Sequence, residues 1–128
     1  MLKDSFYIIT NLQGTEGSLT ATLQLNPAHA IFKGHFPGQP VVPGVCLMQM
    51  VKEVLEVQLT QSLLLNKADY LKFISPIIPE PGKLLQLQVK YSRIGNDSIK
   101  ASATLVIDTV SSFKFQGYYK VSSPFLPA

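Results

Sequence analysis

Apolar and polar residues alternate with a period of two along most of this chain. Between Gly17 and Leu25, the residues Leu19, Ala21, Leu23 and Leu25 alternate with Ser18, Thr20, Thr22 and Gln24. The pattern returns between Leu84 and Arg93, where Leu85, Leu87, Val89 and Tyr91 are set against Gln86, Gln88, Lys90 and Ser92. It returns again over Ser98–Ile107 and over Ser112–Val121, where Phe113, Phe115, Tyr119 and Val121 share one face. Successive side chains of a strand point to opposite faces, so this alternation predicts antiparallel strands with one face buried and one solvated. The stretches QGTEG, IGNDS and DTVSS carry the Gly, Asn, Asp and Ser that reversals need, which makes the strands a meander.

One segment breaks the period. From Pro43 to Leu59 the apolar residues Val45, Leu47, Met48, Val51, Val54, Leu55 and Leu59 recur at helical spacing, with Gln49, Lys52, Glu53, Glu56 and Thr60 as a polar stripe. Pro43 suits a first helical turn, where a missing N–H costs nothing. One mostly buried helix with five or six strands predicts an α+β domain over residues 1–128, its sheet curled around that helix. The proline-rich SPIIPEPGK reads as a strand exit and turn, and the closing SSPFLPA as a loose tail.

Composition narrows the function. The 46% hydrophobic and 15% charged residues suffice for a core, and 128 residues suit one domain. The net charge of +3 is spread as single lysines and arginines, with no basic run for nucleic acid. The lone Cys46 supports neither an internal disulfide nor a metal cluster, and in an apolar run it reads as a small buried thiol. No segment is long and apolar enough for a bilayer, and the opening MLKDSFYIIT lacks a signal-peptide pattern. The expectation is a soluble, cytoplasmic protein.

Chemistry concentrates in the one long irregular connection, Asn26 to Gly44. His35 stands between Gly34 and Phe36, in a loop stiffened by Pro37, Pro40 and Pro43. Gly44 then opens the helix, where unpaired N–H groups meet the positive end of the dipole. Such a terminus is a ready oxyanion site, and it is equally a plain turn into a helix. Phe32, Phe36, Val42, Pro43, Phe73 and Ile74 are candidates to line an apolar binding site, and each also suits a core.

The run GHFPGQPVVPGV, Gly34 to Val45, resembles the signature of the hotdog-fold (3R)-hydroxyacyl-[acyl-carrier-protein] dehydratases, including dehydratase-like proteins of fatty-acid and aryl-polyene pathways. LKFISPIIPEPGKLLQL, Leu71 to Leu87, resembles that family's strand after the helix, and two strands, a helix and four strands match its order. The resemblance implies removal of water from a 3-hydroxyacyl thioester to give the trans-2-enoyl product. His35 would take the proton alpha to the thioester, and the Gly44 amide would hold the enolate oxygen. It further implies no metal or redox cofactor, a substrate carried on the phosphopantetheine of acyl carrier protein, and a homodimer or a trimer of dimers.

The family's acidic residue, which protonates the leaving hydroxyl, falls fourteen positions after the histidine, and here that position is Gln49. An amide orients a hydroxyl or a water but does not act as a carboxylic acid does. Loss of a general acid costs about 10²–10⁴ in rate. Three solutions follow: His35 carries both protons, Glu53 one turn on supplies the acid, or a related subunit contributes it in a heterodimer. Two rival functions stand beside the dehydratase, a hotdog acyl thioesterase and a noncatalytic acyl-binding subunit. Lys33, Lys72 and Arg93 are candidate contacts for the carrier protein, and His29 reads as a loop residue.

Overall fold

The computed structural model describes residues 1–34 and 38–124. Strands β1 (Tyr7–Thr15) and β2 (Ser18–Leu25) come first, followed by a single turn of helix α1 (Ile31–Gly34) and the long helix α2 (Gly44–Leu59). Then come β3 (Gln61–Phe73), β4 (Leu84–Ile94), β5 (Ser98–Ile107) and β6 (Val110–Pro124). The strands make one sheet in the order β1-β2-β4-β5-β6-β3, with every pairing antiparallel. The α+β class, the six strands and the helix start within one residue of Pro43 agree with the sequence pattern. The helical turn α1 was not legible, and β6 extends into the segment read as a tail.

The period-two residues meet where the alternation places them. Leu19, Ala21, Leu23, Leu85, Leu87, Val89, Phe113, Phe115 and Tyr119 are all buried, in one core with Leu47, Met50, Val51, Val54 and Leu55 of α2. At about 25 cal/mol per Å² of apolar surface removed from water, this shared burial is what holds helix and sheet together. Val45 departs from the expected apolar face. It is 78% exposed and borders an open cavity, while its neighbours Cys46 and Leu47 are buried. Glu53 departs in the opposite sense: placed by its spacing on the polar stripe, it is 1% exposed.

Both ends of α2 are anchored. Pro43, extended at φ −62° and ψ 145°, precedes the first turn without a side-chain cap. Val42 N–H donates to the Ile77 carbonyl at 2.8 Å, which ties this approach to the segment after β3. At the far end Thr60 adopts the left-handed conformation, and the Leu63 N–H donates to Glu56 at 2.8 Å. Strand β3 is the exception to the alternation. From Leu64 to Phe73 all of its residues are exposed, so it runs along an edge with both faces bare.

Candidate active site

The start of α2 faces the end of β3 across an apolar cavity of about 490 Å³. Val42, Pro43, Gly44, Val45, Phe73 and Ile74 line it, with the Ser75–Ile77 segment closing one side. That volume lies within the range of about 300–1,000 Å³ common to small-molecule sites. The structure therefore brings together five of the sequence candidates: Val42, Pro43, Gly44, Phe73 and Ile74. Phe32 is elsewhere, buried against Phe6 with ring centroids 5.1 Å apart. His35 and Phe36 lie outside the described residues.

Glycine at 44 lets the Phe73 ring close on the helix start. A Cβ there would stand 2.8 Å from Cε1 and Cζ of Phe73, so the ring covers the helix start at van der Waals range. Phe73 is held in turn against Phe113, with centroids 5.2 Å apart. The N–H groups of Cys46 and Leu47 turn back to the Pro43 carbonyl at 3.0 and 3.2 Å. Those of Gly44 and Val45 have no acceptor among the described residues. The first turn carries no acidic side chain to offset the dipole. A pair of free donors beside apolar walls favours an anionic oxygen, because low dielectric strengthens the attraction.

Gln49 lies one helical turn beyond Val45. Its Nε2 donates to Glu53 at 2.6 Å. Glu53 also accepts from the Leu2 N–H at 2.9 Å, the Lys3 N–H at 2.8 Å and the Tyr7 hydroxyl at 3.0 Å. Burial alone would raise the Glu53 carboxyl, but these donors from Leu2, Gln49, Tyr7 and Lys3 outweigh it and hold the group below the ordinary range. Burial and the Glu53 charge push the Tyr7 phenol far above its usual value. At neutral pH Glu53 is thus a saturated carboxylate with no proton to give. Sequence reading missed this cage because Leu2, Lys3 and Tyr7 are remote in the chain; the i, i+4 spacing of Gln49 and Glu53 was the one local signal.

The remaining candidates have structural partners or open surroundings. Cys46 is buried, which pushes its thiol up and away from thiolate chemistry. His29 Nδ1 accepts from the Ile31 N–H at 3.1 Å, and its ring meets Phe6 edge-on at 5.3 Å. Arg93 donates to Gln61 at 2.9 Å. Lys33 and Lys72 are exposed. Lys72 sits directly across from Lys114 on β6, next to the Phe73 side of the cavity. Among the described residues no helix is long and apolar enough to cross a membrane.

A helix N-terminus set against an apolar cavity on an antiparallel sheet can be compared with known proteins. The model of the ApeI-like proteins, described as ApeI dehydratase, matches residues 11–114. The chain belongs to the ApeI-like dehydratase family. A 3-hydroxyacyl-[acyl-carrier-protein] dehydratase FabZ of Rhizorhabdus wittichii is 32% identical over 84 residues, covering 59% of this chain and 52% of the relative. One from Novosphingobium aromaticivorans is 30% identical over 105 residues, covering 70% and 65%. The chain thus spans between about half and two thirds of the length of these relatives. Among solved structures, the dehydratase heterocomplex ApeI:P from Xenorhabdus doucetiae superposes with a TM-score of 0.71 at 22% identity, covering 88% of this chain and 96% of that one. The ApeI-like fold is therefore the hotdog, a curled sheet around α2.

Proposed function

We propose that this ApeI-like chain dehydrates a 3-hydroxyacyl thioester, carried on acyl carrier protein, to the trans-2-enoyl thioester. The observation that carries the reading is the pair of N–H groups at Gly44 and Val45, without an acceptor among the described residues, bordering an apolar cavity. The family and the names of the related dehydratases support it. His35 takes the proton from the carbon alpha to the thioester. The resulting enolate oxygen accepts from the Gly44 N–H, which lowers the barrier where negative charge develops. Collapse of the enolate forms the double bond to the neighbouring carbon as the carbon–hydroxyl bond breaks. The departing hydroxide takes the proton that His35 removed and leaves as water, which returns the histidine to its base form. Val42, Pro43, Phe73 and Ile74 hold the acyl chain, and Gln49 contacts the hydroxyl or a water. The reaction needs no metal or redox cofactor.

A second reading is favoured by the Gln49–Glu53 pair. With an amide at 49 and a saturated carboxylate at 53, the leaving hydroxyl finds no acid at either position. A related subunit that supplies one makes this chain the partner-dependent half of a heterodimer. The similar Xenorhabdus structure is itself a heterocomplex.

The test is turnover of a 3-hydroxyacyl carrier-protein thioester followed by product mass. Loss of one water by the wild type, abolished in His35→Ala, supports dehydration by this chain alone. Turnover that appears only on addition of a co-purifying related subunit supports the second reading. Release of free acid and thiol overturns both in favour of a thioesterase.

A further inference from the structure

Glu53 is a buried charge that the proposed reaction does not use. Its four donors come from three parts of the chain: the Leu2 and Lys3 backbone, Tyr7 at the start of β1, and Gln49 on α2. Three of them are fixed by the backbone or by a buried ring. Gln49 is the one donor that is a flexible side chain of α2, and it follows the cavity-lining Val45 by one helical turn.

An amide has two ends of opposite polarity, and a neighbouring carboxylate decides between them. Only the nitrogen donates, so a carboxylate oxygen at 2.6 Å excludes the flipped rotamer, which would set two acceptors against each other. The Gln49 carbonyl oxygen is thereby turned away from Glu53, and it accepts nothing among the described residues. The Glu53 charge also polarises the amide and strengthens that oxygen as an acceptor. The remaining charged groups that act on this network are Asp4 and Glu56, both of which bear on Tyr7. Neither contributes a donor to Glu53 or Gln49.

We propose that Glu53 is a positioning residue that holds Gln49 with its carbonyl oxygen outward, so that position 49 meets a 3-hydroxyl as a hydrogen-bond acceptor and the proton for the departing oxygen comes from another group. The inference rests on the dehydratase reading for its substrate, and on geometry alone for the orientation. An acceptor at this place draws the hydroxyl hydrogen toward itself and leaves the oxygen more negative, which aids binding and opposes departure. It follows that a carboxyl at 49 is not simply restored chemistry. Beside Glu53 it forms a pair of like charges in contact, and such a pair keeps one proton.

The experiment is carboxyl titration by NMR of uniformly labelled Gln49→Glu and Gln49→Glu/Glu53→Gln, together with the side-chain amide signals of wild type and Glu53→Gln. In Gln49→Glu one carboxyl is expected to titrate at least a full pH unit above the ordinary glutamate value of about 4.3, and the shift is expected to vanish in the double variant. In the wild type the Gln49 amide protons are expected to be widely split and to converge in Glu53→Gln. Two carboxyls titrating at or below the ordinary value in Gln49→Glu would overturn the proposal, and this variant decides it alone if removal of Glu53 prevents folding. Turnover is measured in parallel. Gln49→Glu, which retains a proton, is expected to exceed the wild type by at least about tenfold. A shifted titration with no turnover in any variant leaves Glu53 as the positioning residue and overturns the dehydratase reading instead.

Discussion

At the scale of single residues, the contact between Gly44 and Phe73 is the one that most directly joins packing to chemistry. One added methyl group must displace the ring, because the Cβ position lies 2.8 Å from it and Phe113 backs it. Gly44→Ala is expected to lower kcat/KM by about 10²-fold through misplacement of the cavity wall, while the melting temperature changes little. Combining it with Phe73→Leu is expected to return part of the loss, and the double-mutant cycle measures the coupling. The helix start at Gly44 was legible beforehand, since a glycine after a stiff proline loop carries its meaning locally. Phe73 was a bare candidate, and only its position across the cavity makes it a wall. Phe32 had the same credentials and went to the core with Phe6.

Among the elements, α2 is fastened to the N-terminal segment through a charge rather than through apolar contact alone. Tyr7→Phe removes one donor from the buried Glu53 carboxylate and is expected to cost about 1.5–3 kcal/mol, read from urea unfolding. Acid tests the same link. The Glu53 carboxyl lies below its ordinary value in the folded protein, so the unfolded chain takes up the proton first. Its contribution is therefore complete above about pH 4.3 and falls away as the pH drops through the lower folded value. Thermal unfolding below pH 4.3 is expected to show a steeper loss of stability in the wild type than in Glu53→Gln. Helical periodicity correctly marked the apolar side of α2 but assigned Glu53 to the solvent. A period describes only the helix itself, and Glu53 is covered by residues whose separations of 46 to 51 positions leave no trace in it.

The molecule as a whole has an unfinished edge. Strand β3 exposes Leu64, Leu65, Tyr70, Leu71 and Phe73 beside unpaired backbone, an arrangement that proteins normally cover. A second copy of this chain paired along β3 would cover it. Light scattering is expected to give a mass of at least twice the chain, reduced toward one chain by Leu65→Lys. The alternation that identified β2, β4, β5 and β6 is missing here because both faces of β3 are open, so its sequence resembled no half-buried strand. Its place in the sheet also bears on how the protein comes into being. Among the described residues every strand partner of β3 lies on β6, from Phe113 opposite Phe73 to Pro124 opposite Gln61. During synthesis, β3 emerges well before the last strand and waits with both edges free, whereas the β1–β2 hairpin closes at once. Loop closure over such separations is slow, and exposed strand edges invite wrong pairings in the interval. Strand β6 is thus the clasp of the fold, and pulse-labelled hydrogen exchange during refolding is expected to find β3 and β6 protected together, after the β1–β2 hairpin.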